Sequence, residues 1–206
     1  MRAKGVICIA IGTALCLMLA ACGSASGGVV RTNLSGTPEE ILDQIVQDIT
    51  DAGIEMPMAL PPTEVPPDES QHYMGLSEED FGRLVDSAWF SMAALSTFAH
   101  QIIIVEANDA AAANEVKRLV SGDDGYDAKK WICVFPERAL AVESGRYVLI
   151  AASKENVTDA ALEFFTLAAG TTGEAVTFWE FEDGGEGGTE LGAGGMELVP
   201  FNEGLE

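Results

Sequence analysis

Positively charged residues are scarce in this chain of 206 residues, which has 11 Lys and Arg against 33 Asp and Glu and a formal net charge of -22. Proteins that bind a phosphate backbone need a surface rich in Lys and Arg, because neutralised phosphates supply most of the binding free energy. Phosphates within a Debye length of this acidic surface would instead be repelled. The composition therefore argues against nucleic acid and against anionic lipid headgroups as partners.

Histidine and cysteine are also rare, with two His and four Cys. No two of them stand at the spacing that zinc ligands need. The acidic loop at 123–127 lacks the alternating acids and the distant glutamate of an EF-hand calcium site. The sequence contains no phosphate-binding glycine loop, nucleophile elbow or dinucleotide fingerprint. The motifs therefore predict no metal, no cofactor and no catalytic residue.

A long apolar run is missing as well, since the longest, Val6–Ala21, is shorter than the roughly 20 residues that a membrane-spanning helix needs. Two basic residues precede this run and small polar residues follow it, which is typical of a signal peptide. The letters LAAC at 19–22 resemble the lipobox of bacterial lipoproteins. This resemblance implies cleavage between Ala21 and Cys22 and a diacylglycerol thioether on Cys22.

Acyl chains on Cys22 would hold the protein on membrane lipid, because each buried methylene contributes roughly 0.8 kcal/mol and two chains anchor stably. Loss of Arg2 and Lys4 with the signal peptide leaves 9 basic and 33 acidic residues, a net charge of -24. We expect a protein anchored at the cell membrane and facing the extracytoplasmic side. A cleaved signal peptide followed by a free cysteine is the alternative.

The positions of the four cysteines exclude an intramolecular disulfide in the mature chain. Cys8 and Cys16 lie in the signal peptide and Cys22 would carry lipid, so Cys133 is the only remaining thiol. The folded part must then depend on an ordinary apolar core. The apolar neighbours of Cys133, in the sequence WICVF, predict that its side chain is a small buried hydrophobe.

Composition divides the chain into four segments. Residues 1–21 form the signal peptide, and residues 22–36, small and polar, predict a flexible tether with a reach on the order of 20 Å. Residues 37–182 form a globular α+β domain. Residues 183–206, mainly glycine and glutamate with little apolar content, predict a disordered acidic tail.

Within the domain, capping residues, apolar periodicity and turn signals predict the secondary structure. Helices are predicted at about 38–52 and 77–85, from a cap at Asn108 or Asp109 to about 120, and from Ser153 or Asn156 to about 170. Strands are predicted at 87–92, at 98–107 and in a hairpin over 139–153 whose turn is Ser144-Gly145. Five prolines between 57 and 67 predict an extended connector. Residues 126–135 fit helix or strand, with helix favoured, and 175–181 are a candidate edge strand.

The order of these elements predicts the fold class. We expect a single α+β domain, in which helices pack mainly on one face of an antiparallel sheet of about four strands.

Three blocks of sequence resemble a family of bacterial lipoproteins known as domain of unknown function 4358. The blocks are YMGLSEED at 73–80, AHQIIIVEANDAAAANEVKRLV at 99–120 and SGRYVLIAASKENVTDAALEFF at 144–165. The resemblance covers about residues 41–165 together with the LAAC motif. Residues 121–137 depart from the family pattern, in which a longer charged helix is expected. The resemblance implies a place at the cell envelope and implies no activity.

These observations favour a non-catalytic binding or scaffolding module at the cell envelope, whose partner is an envelope protein, a cell-wall component or a small ligand. The alternative is an envelope hydrolase or thiol enzyme, with Cys133 as nucleophile and His100 as base. Both residues also have an ordinary structural explanation, Cys133 as a packed side chain and His100 as a hydrogen-bonded residue of a strand.

Overall fold

One antiparallel sheet of six strands forms the centre of the computed structural model, which describes residues 32–131 and 133–181. Neighbouring strands follow the order β1-β2-β3-β5-β4-β6. The strands are β1 (Thr63–Glu64), β2 (Val85–Met92), β3 (Gln101–Ala107), β4 (Arg138–Ser144), β5 (Tyr147–Ser153) and β6 (Val176–Glu180). The helices are α1 (Pro38–Asp51), α2 (Ser70–Met74), α3 (Glu78–Leu84), α4 (Ala110–Val120) and α5 (Glu155–Ala169), with a 3-10 turn at Pro67–Glu69.

Helix α1 begins at the capping box that the sequence predicts. The Thr37 hydroxyl accepts a hydrogen bond from the Glu40 amide at 3.2 Å, and the Glu40 carboxylate accepts one from the Thr37 amide at 3.0 Å. Two of the backbone donors left free at a helix start are thereby satisfied. Ile41, Ile45 and Ile49 form the buried stripe that packs α1 on the sheet.

Strands β4 and β5 form the predicted hairpin. Ser144 pairs with Tyr147, so the two turn residues are Gly145 and Arg146, one position later than predicted. Gly145 has φ +59, a conformation that glycine adopts without steric cost and that is typical of the first position of a tight hairpin turn.

Helices cover both faces of the sheet, so the expectation that they lie mainly on one face is wrong. Ile102 and Ile104 of β3 pack with α1 and α5, whereas Ile103 and Val105 pack with α3 and α4. Successive side chains of a strand point to opposite faces, and β3 and β5 are apolar at almost every position. Such strands require apolar partners on both sides. We call the two sides the α1/α5 face and the α4 face.

The expected number of about four strands is also too low, because the sheet has an extra short strand at each edge. Strand β6 forms at the candidate edge position and pairs with β4. Strand β1 lies inside the proline-rich connector, where Thr63 and Glu64 pair with β2. Proline lacks an amide donor and is compatible with a sheet edge, so two residues between prolines suffice for this pairing.

The chain enters the domain at one end of the sheet, where residues 32–36 contact it. Asn33 N–H donates to the Ala169 carbonyl at 2.8 Å, and the Tyr147 hydroxyl donates to the Gly36 carbonyl at 2.9 Å. A Cβ atom on Gly145 would lie 2.5 Å from Thr32 Cγ2. The last five residues of the predicted tether therefore pack on the domain. We call this the entry end, and the opposite end, with the β2–β3 loop, the far end.

The favoured helix at 126–135 is wrong: in the described part of this segment, which omits residue 132, the chain is irregular. Tyr126 and Trp131 are both buried against the α4 face. The Tyr126 hydroxyl donates to the side-chain oxygen of Gln101 in β3, so this residue is held by a contact outside the segment. The predicted signal peptide and the predicted acidic tail lie outside the described residues. Within the described ranges, no helix is long and apolar enough to span a bilayer.

Candidate functional site

The predicted lipidation and cleavage residues, Ala21 and Cys22, lie outside the described residues. The two residues of the alternative enzyme hypothesis, Cys133 and His100, are both described.

Cys133 is exposed, so the prediction that it is a buried hydrophobe is wrong. Its backbone has φ +63, in the left-handed region that non-glycine residues rarely occupy. This conformation turns the Cys133 side chain away from the core, whereas its neighbours Trp131 and Val134 pack against the α4 face. A run of apolar residues predicts that all of them are buried. Here a change of backbone direction at Cys133 exposes that one residue.

His100 is fully buried, and the hydrogen bond recorded for its ring joins Nδ1 to the Ser153 hydroxyl at 2.9 Å. Burial lowers the pKa of His100 from 6.5 to about 4, so the ring is neutral at physiological pH. Ser153 follows Ala152, a residue of the α4-face core, and its side chain points to the other face. His100 therefore faces away from the loop of Cys133, and the structure does not bring the two together as nucleophile and base.

Lys130 is the most unusual charged residue of the described chain. Its Nζ donates to the carbonyls of Tyr73 at 2.8 Å and His72 at 3.3 Å, and to the Gln101 side-chain oxygen at 2.6 Å. The same Gln101 oxygen accepts from the Tyr126 hydroxyl at 2.8 Å. We call these contacts the Lys130 knot. It joins the 121–137 loop to α2 and to β3.

Aromatic rings complete the environment of this ammonium group. Nζ lies 4.1 Å from the ring centroid of Tyr126 and 5.2 Å from that of Trp131, distances at which a ring attracts a cation. Burial lowers the pKa of Lys130 to about 7, and the nearby Asp127 acts in the opposite direction. An ammonium group has three protons, and three oxygens accept here. The arrangement therefore holds the loop in place. All three N–H groups of the Lys130 ammonium are engaged with oxygens of the protein, so none points towards a substrate.

Sequence reasoning missed Lys130. Lys129 and Lys130 are adjacent residues of the same type, yet Lys129 is exposed. The partners of Lys130 at positions 72, 73 and 101 are remote in sequence, so no local signal distinguishes the two lysines.

An aromatic cluster lies at the far end, beside the edge strand β6. The Phe135 ring is 5.8 Å from that of Phe181 and 6.1 Å from that of Trp179, between centroids. Phe135 and Phe181 are 44% and 47% exposed. Trp179 is fixed by a hydrogen bond from Nε1 to the Pro136 carbonyl at 2.9 Å. We call Phe135, Trp179 and Phe181 the aromatic cluster.

A groove of about 530 Å³ adjoins the aromatic cluster. Phe178 and Trp179 form one wall, and the loop that carries Asp123, Asp124 and Asp127 forms the other. Lys129 lies between them, with Nζ 5.5 Å from the centroid of Trp179. The groove thus places aromatic faces opposite carboxylates. Among the described residues, no group of His, Cys, Asp and Glu is arranged to hold a metal ion.

Exposed apolar side chains concentrate at the far end. Seven large apolar residues are exposed among those described, and six of them lie there: Met58, Leu60, Leu95, Phe98, Phe135 and Phe181. Backbone pairing fixes their places, since the Ala94 amide donates to the Met58 carbonyl and the Phe181 amide to the Glu137 carbonyl, each at 2.8 Å. Leu167, near the end of α5, is the exception. A concentration of exposed apolar side chains at one end of a folded domain favours a contact surface there.

A buried ion pair holds the entry half of the α4 face. Lys117 Nζ lies 2.6 Å from Glu143 Oε2, with the two side chains 14% and 5% exposed. Lys117 also donates to the Glu174 carbonyl at 3.0 Å. The Glu143 carbonyl accepts from the Gly173 amide at 2.9 Å. These contacts join α4, β4 and the segment that leads into β6, and they explain how β6 is positioned beside the groove.

Comparison of the chain with models of protein families, with curated proteins and with solved structures finds no match.

Proposed function

We propose that the protein is a lipid-anchored, non-catalytic binding module on the extracytoplasmic side of the cell membrane. The LAAC motif, the preceding apolar run and the resemblance to the lipoprotein family supply the anchor in this proposal. The observation that supports the binding role is the concentration of exposed apolar side chains at the far end, opposite the point where the chain enters the domain.

The entry end and the far end lie at opposite ends of the strands, so the proposed anchor also orients the domain relative to the membrane. An acylated Cys22 would lie ten positions before Thr32, which is at the entry end. The strands of seven residues span roughly 23 Å between the entry end and the far end. A domain held by its entry end would present the far end away from the membrane, towards an envelope protein or a cell-wall component. Its acidic surface also disfavours adhesion to anionic headgroups.

The thiol-enzyme alternative receives less support. An exposed Cys133 is accessible to substrates, but a base is needed to activate it, and His100 is buried on the other face of the sheet. Within the described part of the chain, neither Cys133 nor His100 forms a hydrogen bond or a ring contact with the groove or the aromatic cluster.

Substitution of the proposed lipidation residue tests the anchor. Cys22→Ser in the full chain should block lipidation, so that unprocessed precursor accumulates and mature lipoprotein is lost from the membrane fraction. Cys133→Ser is the matched control, because it also removes one thiol and should leave processing and fractionation unchanged. Normal processing of Cys22→Ser, measured by gel mobility and by acyl-chain labelling in cells, would overturn the anchor.

A further inference from the structure

We draw no further inference here: the strongest candidate, the aromatic cluster of Phe135, Trp179 and Phe181 beside the edge strand β6, is an exposed apolar face, and nothing in the described structure shows what covers it.

Discussion

His100 should make the domain unstable in mildly acidic solution. The ring is fully buried, Nδ1 contacts the Ser153 hydroxyl, and Nε2 is buried with no hydrogen-bond partner in the described structure. A second proton on the ring would therefore create a buried charge whose Nε2–H has no acceptor, which is costly. Burial accordingly lowers the pKa of His100 from 6.5 to about 4.

The magnitude follows from the two pKa values. Above about pH 6.5, His100 is neutral in the folded and the unfolded chain, and it does not affect stability. As the pH falls from about 6.5 to about 4, the unfolded chain binds a proton that the folded chain does not bind, so the free energy of unfolding decreases. A pKa difference of about 2.5 corresponds to about 3 kcal/mol, at about 1.4 kcal/mol per pH unit.

Urea denaturation of the wild type and of His100→Gln at a series of pH values from 7.5 to 4.5 measures this effect. The variant is expected to be less stable at neutral pH, where it disturbs packing, but to lose less stability on acidification. His72→Gln is the matched control, because His72 is the other histidine and lies exposed on α2. If His100→Gln and the wild type lose stability in parallel between pH 6.5 and pH 4.5, the reasoning is refuted.

Two further predictions concern the loop and the edge strand. Lys130→Met keeps the length of the side chain but removes the donor to the carbonyls of His72 and Tyr73 and one of the two donors to the Gln101 oxygen, so we expect a loss of about 1–3 kcal/mol in the free energy of unfolding and faster proteolysis within residues 121–137. Lys129→Met should leave both measurements unchanged, and equal cleavage of the two variants would contradict the knot. Gly173→Ala should cost about 1–3 kcal/mol in thermal unfolding, because its Cβ would lie 1.9 Å from Glu143 Oε1 and must displace the ion pair or the chain. If Gly173→Ala unfolds at the same temperature as the wild type, the segment before β6 can move to accommodate the Cβ atom, and the prediction is wrong.

Features that depend on neighbouring residues were predictable from the sequence. The capping box of α1 lies within four residues, and the sequence predicts both its start and its buried stripe. The β4–β5 hairpin is equally local, and only its turn is displaced by one residue. The nearly continuous apolar runs of β3 and β5 were also visible in the sequence, but their consequence, helices on both faces, depends on how α1 and α4 return to the sheet. The order of helices and strands along the chain does not determine on which face of the sheet each helix packs.

The candidate site was not predictable because its contacts join distant parts of the chain. Lys130 depends on oxygens of residues 72, 73 and 101, and the aromatic cluster joins residue 135 to residues 179 and 181. Their proximity follows from the pairing of β4 with β6, a strand that the sequence marked only as a candidate. Cys133 shows the opposite error, since its apolar neighbours predicted burial and a single residue with positive φ exposes it.

The central claim is that the mature chain begins at an acylated Cys22 and is held to the membrane by its entry end. Intact-mass and peptide mass spectrometry of the protein purified from the membrane fraction test this most directly. The account predicts an N-terminal peptide that begins at Cys22 and carries the mass of a diacylglyceryl group on that residue. A mature protein that retains residues 1–21, or that begins elsewhere with Cys22 unmodified, would contradict it.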